Sequence, residues 1–328
     1  MSGVQIGCSR VPQVVACVTA ALLATALAAT AAPAEPLRVG KSTINSFTYT
    51  LVDVGIRTGI FKKHGLDVVP TGFGGGPRLI QAMTAGAIDI GLDGGTDMAL
   101  IAKGAPMLGI APVSSGPAEM VLTVKAGSPF KTVDDIKGKK VAVTGLGTLT
   151  GWITRELSRK KGWGDDGIKL VLSSSIGASR ALLRTGDVDA VTTDLTSTLE
   201  GERRGVEHLL FSFGDVVKDF HMQIFFATNK VMKERPDDVR AFMAGWYETL
   251  AFAKANKAKT IEIEHEVLKF DPEVLSKVYD RMINQYPTDG KFSPAALAVL
   301  RQSYVDMKLL PTAPDMKTLY TEAFIPKK

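Results

Sequence analysis

The chain has 328 residues, of which 45% are hydrophobic and 22% are charged, and its formal net charge is +5. Enough apolar side chains are present for one large or two medium-sized globular domains, so a disordered or fibrous protein is excluded. The basic residues are dispersed, whereas a nucleic-acid-binding surface needs clustered Lys and Arg with interleaved aromatic residues, so we expect no nucleic-acid partner.

The first 34 residues have the pattern of a signal peptide. Arg10 is their one charged residue, residues 14–32 are apolar and rich in alanine, and Ala32-Pro33-Ala34 has the small-x-small form that signal peptidase accepts. We therefore predict cleavage after Ala34 and a mature protein in the periplasm. An uncleaved membrane anchor is the alternative, because residues 14–32 are nearly long enough to span a bilayer.

Both cysteines, Cys8 and Cys17, lie in this segment. A lipoprotein modified at Cys17 fits poorly, because the apolar stretch follows the cysteine instead of preceding it. Cleavage after Ala34 leaves a mature chain without cysteine, which suits an oxidising compartment because no thiol can react wrongly there.

From residue 37 to about residue 212, short runs rich in β-branched residues alternate with helical windows such as 46–61 and 148–161. The strand windows are residues 37–43, 66–71, 88–92, 107–113, 120–125, 140–144, 168–172, 188–192 and 208–211. Such alternation predicts an α/β fold with parallel sheets and right-handed crossovers. After residue 230 the remaining windows are helical, at residues 237–254, 257–269, 272–286 and 294–307.

Residues 82–90 are echoed by residues 182–190. In each copy a helical window ends on a glycine, Gly86 or Gly186, and glycine suits the left-handed position that follows a helix. A short strand and then a polar loop come next in both copies. With the two alternating blocks, this echo predicts two similar lobes.

Ligand-binding loops of α/β lobes lie at the carboxyl ends of parallel strands, so two facing lobes would place these loops on one cleft. We predict that the strands near residues 122–125 and 225–227 cross between the lobes. The expected organisation is a signal peptide (1–34), a discontinuous first lobe (35–123 and 228–328) and a second lobe (124–227).

Four stretches resemble the periplasmic substrate-binding proteins of ABC importers, in the nitrate, sulfonate, taurine and thiamine-pyrimidine-precursor branch. These stretches are residues 58–68 (TGIFKKHGLDV), 85–91 (AGAIDIG), 133–143 (VDDIKGKKVAV) and 185–190 (TGDVDA). The resemblance implies an α/β, two-lobed, type II clamshell with mixed sheets flanked by helices and a helical C-terminal tail. It also implies that the protein binds a small solute and delivers it to a permease in the inner membrane, but not which solute. We expect a monomer that binds a small organic solute, such as a sulfonate, a nitrogen heterocycle or an aromatic compound, without a cofactor or metal.

Loops that follow the predicted strands of the first lobe supply candidate solute contacts. Asn45 and Ser46 follow the first strand, where capping of the next helix is the alternative role. Gly75 belongs to a three-glycine loop whose backbone N–H groups can approach an anion, although a flexible turn explains the loop equally well. The candidates after the strand at residues 88–92 are Asp93, Gly94 and Thr96.

In the second lobe, Gly147 and Thr148 lie in a strand–glycine turn–helix sequence that can bind an anion or a carbonyl oxygen. Asp194 corresponds to Asp93 in the sequence echo. Two carboxylates at the cleft would repel the negative charge of a sulfonate, so they favour a nitrogen heterocycle or aromatic compound over taurine. The candidates near the crossings are Ser115 and His221, although a structural role for His221 is the stronger interpretation, because a lone histidine lacks catalytic partners.

No catalytic constellation is present in the sequence. There is no Gly-x-Ser-x-Gly motif, and the four histidines (His64, His208, His221 and His265) are scattered. We therefore expect a binding protein rather than an enzyme. A secreted enzyme on the same scaffold is the alternative, because fold alone does not determine function.

Overall fold

The computed structural model describes residues 1–5, 35–44 and 46–326. Most of the predicted signal peptide, residues 6–34, and the candidate Asn45 lie outside the described residues. The chain divides into two compact units, Met1–Glu35 and Pro36–Lys328. The second unit contains all the strands and helices of the described residues.

Two five-stranded mixed sheets form the framework of this unit. The strands are β1 (Leu37–Lys41), β2 (Val68–Gly72), β3 (Ile90–Gly94), β4 (Met107–Pro112), β5 (Met120–Lys125), β6 (Lys140–Val143), β7 (Lys169–Leu172), β8 (Ala190–Asp194), β9 (Glu207–Ser212) and β10 (Gln223–Thr228). The strand order is β2-β1-β3-β10-β4 in the first sheet and β7-β6-β8-β5-β9 in the second.

The sheets are mixed, as the family resemblance implied, because one interior strand of each sheet departs from the parallel direction that the alternation of strands and helices indicates. In the first sheet β1 is parallel to β2 and β3, whereas β10 is antiparallel to β3 and β4. In the second sheet β6 is parallel to β7 and β8, whereas β5 is antiparallel to β8 and β9. Each antiparallel strand is the first that the chain forms after leaving the other sheet. It begins at the side of the sheet where the carboxyl ends of the parallel strands lie.

The two strands near which the crossings were predicted each belong to a single sheet. β5 lies wholly in the second sheet and β10 wholly in the first, so the chain crosses between Pro112 and Met120 and again between Ser212 and Gln223. We propose that the lobe boundaries lie in these two segments. The second sheet with the helices between its strands is called the second lobe below, and the rest of the unit is called the first lobe.

The helices are α1 (Phe47–Arg57), α2 (Ile60–Lys63), α3 (Gly76–Thr84), α4 (Met98–Ala102), α5 (Leu149–Lys160), α6 (Ile176–Thr185), α7 (Leu195–Arg203), α8 (Asn229–Glu234), α9 (Pro236–Ala255), α10 (Lys257–Leu268), α11 (Pro272–Met282) and α12 (Pro294–Asp306). The predicted helix at 46–61 is divided in two, because Gly59 adopts a left-handed φ of 75° between α1 and α2. Among the described residues no helix is both long enough and apolar enough to cross a membrane.

The helical tail packs on the first sheet through aromatic side chains of α9. The Phe225 ring of β10 meets Trp246 and Phe242 edge-on, with ring centroids 4.9 and 5.2 Å apart. The tail also contacts the second lobe, because Asp306 at the end of α12 accepts hydrogen bonds from Trp152 Nε1 (3.4 Å) and Arg159 (3.1 Å). The tail therefore bridges the two lobes.

The sequence echo has a structural counterpart in the two lobes. Gly86 and Gly186 follow α3 and α6 with left-handed φ angles of 73° and 84°. Three residues later an aspartate binds the backbone at the start of a neighbouring strand: Asp89 accepts from the Arg38 amide at 3.0 Å, and Asp189 accepts from the Lys140 amide at 2.8 Å. The same aspartate–backbone hydrogen bond thus links β1 to β3 and β6 to β8.

Glu264 in α10 is fully buried, and neither carboxyl oxygen has a hydrogen-bond partner among the described residues. Burial raises its pKa well above the ordinary value, so the folded protein holds a proton that the unfolded chain releases above about pH 4.3. Stability from this group is therefore complete below that pH and is lost as the pH rises toward the folded pKa, by at most about 1.4 kcal/mol per pH unit.

We expect Glu264→Gln to remove this loss, because the amide stays neutral at every pH. Urea unfolding from pH 4 to pH 8 checks this: the free energy of unfolding of the variant, relative to that of the wild type, should increase with pH. Glu262→Gln, at an exposed position of the same helix that pairs with Lys259, is the control and should show no such trend. Parallel stability curves for the wild type and Glu264→Gln would contradict the prediction.

Candidate functional site

A cavity of about 490 Å³ lies between the two sheets. Its walls come from the segments after β1, β6, β7 and β8 and from the beginnings of β5 and β10. The lining residues are Thr43, Ser46, Tyr49, Glu119, Met120, Leu149, Thr150, Ile176, Gly177, Arg180, Asp194, Ser197, Met222 and Gln223. Both lobes thus contribute to one open cavity, as expected of a cleft at the strand ends.

Glu119, directly before β5, is the central polar group of this cavity. Its side chain is buried, with the residue 3% exposed. One carboxyl oxygen accepts from the Ser46 hydroxyl, and the other accepts from Thr48 Oγ1 at 2.9 Å and Gln223 Nε2 at 3.0 Å. Burial raises the pKa of Glu119, the hydrogen bonds from Ser46 and Thr48 lower it, and the nearby Asp194 carboxylate raises it further.

Three helices of the second lobe begin at the cavity wall. Leu149 and Thr150 open α5, Ile176 and Gly177 open α6, and Ser197 lies in the first turn of α7. In each case the residue before the helix accepts a hydrogen bond from a backbone amide of the first turn; these residues are Thr148, Ser175 and Asp194. The other N–H groups in the first turns of α5 and α6 have no partner within their helices and can donate to a ligand.

Arg180 in α6 is the one cation among the described residues of the lining, and its charge is already paired. Its guanidinium donates to both carboxyl oxygens of Glu207, at 3.0 and 2.7 Å, and to the Ser197 carbonyl at 3.0 Å. Glu207 is not a lining residue, and its side chain is 2% exposed. Arg180 therefore forms a neutral wall with Glu207 rather than a free positive group.

Asp93, at the end of β3, is not among the lining residues but lies deeper in the first lobe. Its Oδ1 accepts from the Gly94 amide at 2.8 Å, and its Oδ2 is buried without a partner among the described residues. A Cβ placed on Gly76 would lie 2.9 Å from Asp93 Oδ2 and 3.1 Å from Asp97 Oδ2. Burial raises the pKa of both carboxyls, and for Asp97 the neighbouring Asp93 raises it further.

The glycine loop that includes Gly75 consequently borders two carboxyl groups at the start of α3. An anion binding there would have to approach the oxygens of Asp93 and Asp97, which makes the predicted anion site unfavourable. Gly94 and Thr96 are likewise absent from the cavity lining. Within the described residues no three His, Cys, Asp or Glu side chains come close enough to form a metal site.

His221 and Ser115 belong to the crossings and are not among the lining residues. The His221 Nε2 atom accepts from the Ser293 amide at 2.9 Å, so its Nδ1 donates to the Ser114 carbonyl at 3.3 Å. Both ring nitrogens are thus used to join the two crossings to the start of α12. These hydrogen bonds agree with the structural role that the sequence favoured for a lone histidine, and the solute contact of His221 stays a prediction.

The lining contains Ser46 and Asp194 from the predicted site, and none of the other described candidates. Gly147 and Thr148 fall just short of it: Thr148 caps α5, and the residues that reach the cavity are the next two, Leu149 and Thr150. A Cβ on Gly147 would lie 2.9 Å from the Met307 carbonyl oxygen, so this loop packs on the tail. The important residues that sequence reasoning missed are Tyr49, Glu119, Arg180, Met222 and Gln223.

Comparison with known proteins agrees with this architecture. The NMT1/THI5-like family matches residues 47–259. A protein of Brucella abortus (strain 2308) with the name "Putative binding protein BAB2_1146" is 27% identical over 237 residues, which are 72% of each chain. "Putative binding protein YtlA" of Bacillus subtilis (strain 168) is 24% identical over 293 residues, covering 86% of this chain and 85% of that protein.

Among solved structures, the periplasmic aliphatic sulphonate-binding protein SsuA of Escherichia coli superposes with a TM-score of 0.74 at 19% identity, covering 88% of this chain and 92% of that one. The alkanesulfonate-binding protein SsuA of Xanthomonas axonopodis, bound to MOPS, gives a TM-score of 0.67 at 20% identity over 87% and 96% of the two chains. The desulfurization enzyme DszB, as a mutant in complex with biphenyl-2-sulfinic acid, gives a TM-score of 0.65 at 15% identity over 88% and 97%.

The two mixed sheets and the cavity between them show the two-lobed fold of periplasmic binding proteins, which confirms the predicted α/β clamshell. The chain belongs to the NMT1/THI5-like family, which confirms the family resemblance found in its four sequence stretches.

Proposed function

We propose that the protein is the extracytoplasmic solute-binding component of an ABC importer. In this role it captures a small organic solute between its lobes and delivers it, as a monomer, to an inner-membrane permease. Cleavage of the signal peptide after Ala34 would release it into the periplasm. The names of the curated relatives and of the SsuA structures support this proposal.

The observation that carries the proposal is the cavity itself. Both lobes line it, and its volume of about 490 Å³ suits a small organic molecule. The two crossings connect the lobes along the chain, and the tail contacts both of them. Neither histidine nor cysteine occurs among the described residues that line it. A closing movement of the lobes would enclose the solute, with the binding energy selecting the closed state.

Native mass spectrometry of the full chain, expressed with its own leader and purified without denaturation, tests the proposal. We expect one chemically unchanged small molecule per protein, on a polypeptide that begins at Glu35. Prolonged incubation with the recovered molecule should leave it intact. Turnover of that molecule would instead support the secreted enzyme, for which the DszB fold provides a precedent.

A further inference from the structure

The charges around the cavity are unequal, and this imbalance bears on the class of solute. The charged lining residues are Glu119, Arg180 and Asp194. Arg180 is neutralised by Glu207, which lies behind it. The Glu119 and Asp194 carboxylates receive hydrogen bonds from neutral groups, and among the described residues no cation pairs with either of them.

These two carboxylates come from adjacent positions on one wall. Met120 pairs with Asp194 across β5 and β8, and the Leu195 amide donates to the Glu119 carbonyl at 2.8 Å. Bringing a second negative charge close to a buried carboxylate is unfavourable, because a low-dielectric interior screens the repulsion weakly. The wall therefore disfavours a sulfonate or carboxylate placed against it and favours a positive group.

We propose that the cavity selects an organic cation, an amine or an amidine, and that Glu119 and Asp194 bind its charged nitrogen. This inference rests on the proposed function and narrows it. The N–H groups at the starts of α5 and α6 supply only about half a positive charge per helix, and they suit a hydroxyl or carbonyl oxygen elsewhere on the solute. Tyr49 and the apolar side chains of the lining provide contacts for a hydrocarbon body; these are Met120, Leu149, Ile176 and Met222.

Calorimetric titration with matched aromatic probes tests the inference. Benzylamine and benzamidine carry the cation, and benzoate and benzenesulfonate carry an anion on the same ring. The protein is first freed of retained solute by unfolding and refolding. We expect a cationic probe to bind at least about tenfold more tightly than either anion, because the two carboxylates form charge-assisted hydrogen bonds with the cation and repel the anions.

Two variants assign this selectivity to the wall. Glu119→Gln is expected to weaken binding of the cationic probes at least about tenfold and to reduce their advantage over the anions. Asp194→Asn, whose amide oxygen can still cap α7, should act in the same direction with less effect on folding. Glu262→Gln, on the exposed face of α10, is the control and should bind like the wild type.

Several results would overturn the inference. An anion that binds as tightly as its matched cation would do so, as would unchanged cation binding in both folded wall variants or no binding of a cationic probe to the wild type. A sulfonate recovered unchanged by native mass spectrometry would leave the solute receptor standing and refute cation selection. Turnover of a recovered amine would refute the receptor and keep the cation site.

Discussion

Replacing Arg180 with alanine is expected to lower the free energy of unfolding by about 3–5 kcal/mol at neutral pH. The Glu207 side chain, 2% exposed, would lose both bonds of the guanidinium fork and remain buried as an uncompensated charge. The measurement is equilibrium urea unfolding of the solute-free protein, since a bound solute would add its own stabilisation.

The double variant Arg180→Met with Glu207→Leu separates the charge effect from loss of packing. Replacing both partners by apolar side chains leaves no buried charge, so we expect it to be much closer to the wild type than Arg180→Ala. A loss below about 1 kcal/mol in Arg180→Ala would mean that water reaches Glu207 and that the pair behaves like a surface ion pair. The pair would then not form a neutral wall of the cavity.

Replacing Gly95 with alanine is expected to cost about 3 kcal/mol or more, through a steric clash at the second crossing. A Cβ on Gly95 would lie 1.9 Å from the backbone carbonyl oxygen of His221. That backbone has little freedom to move, because the His221 ring is bonded to Ser114 and Ser293. A movement of the His221 backbone that relieved the clash would also displace the next residue, Met222. The Met222 carbonyl accepts from the Gly95 amide at 2.9 Å, and its side chain lines the cavity.

Urea unfolding measures the cost, and calorimetric binding of the recovered solute reports the displacement. Gly177→Ala is the stability control, because the nearest atom to its added Cβ is Ser175 Oγ at 3.8 Å and alanine favours a helix. We expect Gly177→Ala to be as stable as the wild type or slightly more so. An unfolding midpoint unchanged in Gly95→Ala would show that the crossing moves freely and would contradict the rigid junction at His221.

The locations of most strands and helices were predictable from the sequence, because apolar periodicity and glycine or proline boundaries are local signals. The ends were less predictable. The windows at 88–92 and 188–192 correspond to strands that begin two residues later, at Ile90 and Ala190. Asp89 and Asp189 precede them as anchors, a long-range contact that hydrophobicity does not reveal.

The direction of β5 and β10 explains why much of the cavity wall was missed. In a parallel sheet the residues near a ligand follow the strands, so the sequence pattern points to the loops after strands. Because β5 and β10 are antiparallel to the other strands, they begin where the neighbouring strands end: Met120 pairs with Asp194, and Gln223 pairs with Gly94. Glu119 and Gln223 thus reach the cavity from positions before or at a strand start, and sequence pattern does not encode strand direction.

One signal for Glu119 was available. It stands directly before the apolar strand Met120–Lys125, where a charged residue needs either solvent or buried partners. Arg180 gave no comparable signal, because a basic residue in an amphipathic helix is ordinarily solvent-exposed, and its partner Glu207 lies in another element.

The contact between Trp152 and the end of α12 gives the protein an intrinsic optical probe. The indole belongs to the second lobe, stacks on Phe220 at a centroid distance of 5.1 Å, and donates to Asp306 of the tail. Any separation of the lobes would replace that carboxylate with water and shift the fluorescence emission of Trp152. Trp246, held in the core of the first lobe, would keep its emission, so in a Trp163→Phe variant, which removes the third tryptophan, the movement can be followed without a label.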